Sequence, residues 1–191
     1  SGAIKGACNC YSYDVGRRIG IEEIVKAAKE FGLGSKTGIE LAQEATGKIA
    51  GDNLEEVDWY FGDTLAASIG QSYNSFTPIQ LVNYIATIAN NGKLNKVTLI
   101  KNIKNESTSE ELTRSEIEKT ANDFTGVNFE ERKIDLQKEY IDAIKGGMYS
   151  VTNEIGGTAN IIFKNSNIKV AGKTGTSQVT SGSNNGIFVG F

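Results

Sequence analysis

The stretch "AGKTGTSQ", Ala171–Gln178, decides how the chain is read. Lys173-Thr174-Gly175-Thr176 on a strand beside a cleft offers a fixed cation, two hydroxyl donors and a glycine at which a substrate backbone can come close. Those are the parts that grip a peptide carboxylate and stabilise an oxyanion. Strict alternation puts Lys173 and Thr174 on opposite faces of a strand, so twist at Gly175 has to reconcile them. The same residue types recur by chance at "SKTG", Ser35–Gly38, and context must separate the two copies.

Outward from this stretch, "IKVAGKTGTSQ" and "GIFVGF" read as two strands joined by the turn "TSGSNNG", Thr180–Gly186. Upstream, "IGIEEIVKAAKEFGLG" has helical spacing at Ile21, Ile24, Val25, Ala28 and Phe31, which predicts a helix over 20–31 stopped by Gly32 and Gly34. "TPIQLVNYIATIANNG" predicts a second helix. Thr77 is its N-cap, Pro78 its first residue and Gln80 the partner in a capping box, and it ends at Asn90–Gly92. "KVTLIKNI" reads as a strand, and 105–132 is a polar excursion with few apolar anchors. "LQKEYIDAIKGGMYSVTNE" predicts a helix with Leu136, Tyr140, Ile144 and Met148 on its apolar face, and close packing as the reason for Gly146 and Gly147. Helices first and strands last give an α+β fold, a helical region against an antiparallel sheet.

The chain has 191 residues and a net charge of −3, enough to bury one substantial core. No stretch approaches the roughly 18 uninterrupted apolar residues of a membrane span. Lysines and glutamates are intermixed, so there is no basic stripe for nucleic acid. The opening "SGAIKG" and the close "NGIFVGF", inside a strand, read as an excerpt from something larger.

Both cysteines lie in "IKGACNCYSY", Ile4–Tyr13, and the chain has no histidine. A Cys8–Cys10 disulfide would close a strained ring. Three readings stay open. The thiols are small apolar residues packed at a helix start; or Cys8, Cys10 and Asp14 ligate a structural zinc with a fourth ligand from upstream; or one is a catalytic thiol, without an imidazole in the chain to activate it.

Taken together, the motifs resemble the transpeptidase domain of class B penicillin-binding proteins, over nearly the whole chain. They are Lys173-Thr174-Gly175-Thr176 with Ser177 and Gln178, "SIGQ" at Ser68–Gln71, "TPIQL" at Thr77–Leu81 with "IANNG", "GGMYSVTNEIGGTA" at Gly146–Ala159, and "FGLGSKTGIEL" at Phe31–Leu41. The resemblance implies that residues 1–191 are part of one domain of the penicillin-binding and serine β-lactamase type. It also makes Lys36-Thr37-Gly38 a structural loop. The one Ser-x-x-Lys, Ser166–Lys169, leads straight into the Lys-Thr-Gly-Thr strand, where the lysine cannot sit one helical turn above the serine. Ser166 is therefore rejected as nucleophile, and the family's nucleophile is expected upstream of Ser1.

By the same resemblance "GACN", Gly6–Asn9, holds the place of the family's Ser-x-Asn motif, with Ala7 where the serine belongs and Asn9 in place. The missing hydroxyl normally passes a proton to the leaving amine. The implied catalytic residues are Lys173, Asn9 and Thr176. Thr174, Gly175, Thr176, Asn9 and Gln178 are implied to bind substrate, the two threonine hydroxyls taking a terminal D-alanine or β-lactam carboxylate and the Thr176 N–H an oxyanion. The implied activity is D,D-transpeptidation through an acyl-serine, without a catalytic cofactor. Implied partners are stem peptides ending in D-Ala-D-Ala, β-lactams and cell-wall synthesis proteins, at the outer face of the bacterial membrane behind an N-terminal anchor. Cell shape and antibiotic resistance are the processes this would serve. The alternatives are a serine β-lactamase or β-lactam sensor, and a degenerate scaffold that binds wall peptide without turnover.

Overall fold

The helix with the clearest start signal holds the centre of the structure, a computed structural model that describes residues 2–179 and 181–191. This helix, α4, spans Pro78–Ala89. The Thr77 hydroxyl accepts from the Gln80 N–H, and the Gln80 side-chain oxygen accepts from the Thr77 N–H at 3.0 Å. Gln80 is 1% exposed, and its amide also donates to the Ser35 and Thr46 carbonyls, each at 2.7 Å. One side chain therefore starts the helix and ties down the 35–47 loop, leaving no polar atom stranded. Ile85 and Ile88 of α4 pack with Met148 and Ala171, flanked by Ile4, Phe31, Tyr84 and Val189.

The other helices are α1 (Gly2–Lys5), α2 (Asn9–Glu30), α3 (Phe61–Ser68), α5 (Arg114–Thr125), α6 (Lys138–Asn153) and α7 (Asn160–Phe163). Helix α2 starts earlier than its periodicity predicts, because it is two helical segments joined at Gly20, whose φ of 78° breaks the helix. The second segment matches the expectation and stops at Gly32, φ 81°. The first, rich in Cys, Tyr, Ser and Gly, lacks a helical signal of its own and crosses α3 at Gly16, where an added Cβ would fall 2.4 Å from the Ser68 Cβ.

Two further expectations change. The stretch 96–103 is not a strand. The short strands β1 (Lys93–Leu94) and β2 (Arg132–Lys133) pair antiparallel, and beyond them Glu40 takes over, accepting from the Thr98 hydroxyl and the Leu99 N–H at 2.6 and 2.8 Å. A carboxylate replaces the ladder, which no alternation pattern reveals. The apolar face of α6 is also rotated. Ile141, Met148 and Val151 are buried while Tyr140 and Ile144 are exposed, because α1 packs beside Gly147 and draws that side of the helix inward. The 105–132 stretch is polar outside but carries α5, capped by Thr113 and Glu116, with Ile117 and Ala121 buried.

Strands β3 (Gly172–Ser177) and β4 (Asn185–Gly190) form the expected antiparallel hairpin, with Lys173 opposite Val189, Thr174 opposite Phe188 and Thr176 opposite Gly186. Thr180, the first residue of the predicted turn, lies outside the described residues. The chain thus has the α+β architecture expected, its hairpin seated on α4 and α6.

The two adjacent glycines of α6 have different reasons to be there. A Cβ at Gly147 would meet the Ile4 Cβ at 2.9 Å, whereas one at Gly146 meets nothing within 4 Å. Gly146→Ala is expected to stabilise the fold by about 0.5–1 kcal/mol and Gly147→Ala to destabilise it by about 1–3 kcal/mol. Urea unfolding of the two variants should therefore shift in opposite directions.

Candidate active site

The edge of β3 that faces away from β4 is the chemical centre of the structure. Ala171 and Phe191 exchange both backbone hydrogen bonds, at 2.8 and 2.9 Å. In an antiparallel pair bonded and non-bonded residues alternate, so Lys173 and Gly175 also bond to β4, while Thr174 and Thr176 turn N–H and C=O to the open edge. The Thr176 carbonyl accepts from the Gln71 side-chain amide at 2.7 Å. Its N–H points the same way, to the open edge.

Gln71 is placed by a local rule. Helix α3 ends with the Gly70 N–H on the Ala67 carbonyl and the Gln71 N–H on the Ala66 carbonyl, with Gly70 at φ 83°. This is the left-handed glycine stop, and it swings the following side chain off the helix axis. Asn74 fixes the next turn by donating to the Gln71 carbonyl at 3.0 Å and accepting from the Ala50 N–H at 2.9 Å.

Lys173 resolves the conflict between the two faces of the strand. Its ammonium reaches round to donate to the Thr174 carbonyl at 2.8 Å, so the cation lies at the open edge. Partial burial disfavours the charged form and holds its pKa below the ordinary lysine value. The Thr174 hydroxyl lies 2.7 Å from the Thr158 hydroxyl of the "GGTA" stretch. Thr176 and Gln178 are exposed, and among the described residues the Gln178 side chain makes no hydrogen bond.

Helix α1, which runs directly into the "GACN" segment, is tied to the residue that meets this edge, Thr158. The Thr158 N–H donates to the Lys5 carbonyl at 3.3 Å, and Lys5 pairs with Glu154 at 2.9 Å. Lys5 and Ser150 hold the Glu154 carboxyl below the usual range. Ala7 makes the turn from α1 into α2 at φ 48°, a left-handed conformation unfavourable for a residue with a Cβ. Asn9 opens α2, is exposed, and among the described residues makes no side-chain hydrogen bond.

The second Lys-Thr-Gly is a loop, as expected. Thr37 is 2% exposed and donates both its N–H and its hydroxyl to Glu44, at 2.7 and 2.6 Å. Ser166 sits after α7 in no helix, its hydroxyl accepting from the Ile168 N–H.

The reading of the cysteines as packed core residues is corrected. Both are exposed, Cys8 as N-cap of α2 and Cys10 in its first turn, so they are not core residues. Asp14 does not complete a metal site with them. One of its oxygens accepts from Arg17 and the other from Arg18, and these hold its carboxyl below the ordinary range. Among the described residues no three His, Cys, Asp or Glu side chains are gathered to hold a metal. Sequence reading also left Gln71 and Thr158 without roles; the glycine before each was the available signal.

A family model for the penicillin binding protein transpeptidase domain matches residues 1–191. The peptidoglycan D,D-transpeptidase MrdA of Haemophilus influenzae is 32% identical over 183 residues, 94% of this chain and 26% of that protein. A Pseudomonas aeruginosa PBP2 structure aligns with a TM-score of 0.79 at 29% identity, covering 99% of this chain and 40% of that one. A Helicobacter pylori PBP2 in complex with MreC aligns at 0.69 and 30%, covering 93% and 30%. The chain belongs to the penicillin-binding protein transpeptidase domain family. It spans about a quarter of the length of the curated relatives it matches.

With both thiols exposed, a maleimide should label two cysteines per chain without denaturant. A second equivalent that appears only on unfolding would contradict this placement.

Proposed function

We propose that the protein carrying this chain is a serine-type peptidoglycan D,D-transpeptidase that β-lactams also acylate. The observation that carries the reading is the open edge of β3, where Thr174 and Thr176 turn their N–H groups outward, the Lys173 ammonium lies on the Thr174 carbonyl and Gln71 occupies the Thr176 carbonyl. A stem peptide laid along this edge would place its terminal carboxylate on the two hydroxyls and its scissile carbonyl at the Thr176 N–H. A serine hydroxyl from a segment outside the chain attacks that carbonyl. The bond to the terminal D-alanine nitrogen breaks, and the serine proton passes to the leaving amine. The amine of a second stem peptide then attacks the ester and frees the serine. One oxyanion donor of this kind is typically worth about 2.7–4 kcal/mol.

Asn9 is assigned to the substrate's peptide, Gly175 to close approach of its backbone and Gln178 to the far end of the subsite. No cofactor is required for these steps, and the cysteines take no part in them. The proposed working place is the outer face of the bacterial membrane, because similar proteins are peptidoglycan D,D-transpeptidases, whose substrate lies there; among the described residues no helix is long and apolar enough to cross a bilayer. Cell-wall synthesis proteins are the proposed partners, because a similar protein is described in complex with MreC. Cell shape and β-lactam resistance are the proposed consequences.

Ala7 favours a second reading, a scaffold that binds wall peptide without turnover, because the proton-passing hydroxyl of the family's motif is missing. Lys173 and an ordered water are the proposed substitutes. Incubation of the full-length protein with a fluorescent penicillin separates the cases. A long-lived adduct is expected; rapid release would indicate a β-lactamase, and no adduct the scaffold.

Lys173 also gives the reaction a pH signature. Burial lowers its pKa, so its charge is lost at a lower pH than an ordinary lysine's. Acylation is expected to fall through that range. In Lys173→Arg, which stays charged, the alkaline fall should move to higher pH. The same alkaline limb in both proteins would exclude Lys173 as its source.

A further inference from the structure

The "GGTA" stretch, Gly156–Ala159, has no role in the reaction described above, yet its threonine touches the residue proposed to bind the carboxylate. A hydroxyl has one proton to give and two lone pairs to receive. Across the 2.7 Å between Thr158 Oγ1 and Thr174 Oγ1 lies one proton, from one residue or the other. If it is Thr174's, that hydroxyl has nothing left to donate to an anion. If it is Thr158's, the Thr174 proton is free to turn outward, and the incoming bond polarises it further. A carboxylate in front of Thr174 selects the second arrangement.

The loop is built to hold Thr158 in place. Its N–H is bonded to the Lys5 carbonyl, and the neighbouring Ala159, 1% exposed, donates to the Val151 carbonyl at 3.1 Å. Gly157 folds against the end of α6 so closely that a Cβ would meet the Val151 and Ser150 carbonyl oxygens at 2.3 and 2.4 Å. Lys5 and Ser150 clamp Glu154 at the start of the loop. The Lys173 ammonium donates to the Thr174 carbonyl and, among the described residues, makes no hydrogen bond to that hydroxyl.

We infer that Thr158 is a positioning residue: by donating to the Thr174 hydroxyl it makes Thr174 a donor, and so sets the preference of the site for ligands that carry a carboxylate. This rests on the reading of Thr174 as a carboxylate-binding residue. A merely structural tie between the loop and β3 would affect every ligand alike, whereas an orienting hydroxyl acts only on those with the anion.

The test compares acylation of the full-length protein by benzylpenicillin and by its methyl ester, with thermal melting as the folding control. The wild type should react faster with the free acid. Thr158→Val should slow the acid about three- to tenfold, the worth of one net hydrogen bond, and leave the ester unchanged. Thr158→Ser should restore the acid rate. Equal slowing of both ligands, or of neither, overturns the inference. A wild type that treats acid and ester alike overturns the carboxylate reading of Thr174 itself, and the role of Thr158 falls with it. Should the valine variant fail to fold, Thr158→Ala makes the same comparison.

Discussion

A strand that receives a ligand along its edge must stay unpaired there and still be held still, and the structure around β3 answers both demands. An unpaired edge is otherwise free to shift or to join another strand. β4 fixes one side by backbone pairing. On the other, Gln71 takes the Thr176 carbonyl and leaves the N–H beside it. Lys173 does the same at the Thr174 carbonyl with its own side chain. Acceptors are occupied and donors remain, which is the polarity an anionic or carbonyl-bearing ligand requires.

These braces depend on distant packing. Gln71 is aimed by the end of α3, and α3 lies close to α2 because Gly16 has no side chain to collide with Ser68. Thr158 is aimed by a loop that folds back on α6, and α6 meets α1 at Gly147. The helix that begins at Asn9 and the helix that carries the "GGTA" loop are thereby locked to the same strand from two sides. Glycine appears in these places for its missing Cβ, not for flexibility.

Features governed by short-range rules were legible in the sequence. The capping box of α4 needs only Thr77 and Gln80, three residues apart, and the β3–β4 hairpin needs only alternation and a turn. The rest required partners far along the chain. Residues 96–103 look like a strand because the alternation cannot show that Glu40 satisfies their donors. The face of α6 depends on α1, and the exposed cysteines follow from a left-handed Ala7 that no propensity would assign. In the site, Lys173, Thr174 and Thr176 were readable as a motif. Gln71 was not, since its partner lies 105 residues away. The two Lys-Thr-Gly copies show the same point: Thr37 spends its hydroxyl on a neighbouring carboxylate inside a buried loop, while Thr174 keeps an orientable one at an open edge.

The proposed function puts the peptide or β-lactam at the open edge of β3 during acyl transfer. A crystal structure of the full-length protein acylated by a β-lactam tests it most directly. The ligand carboxylate is expected within about 3 Å of the Thr174 and Thr176 hydroxyls, and the acyl oxygen at the Thr176 N–H. An adduct whose carboxylate and acyl oxygen both lie away from β3 would contradict it.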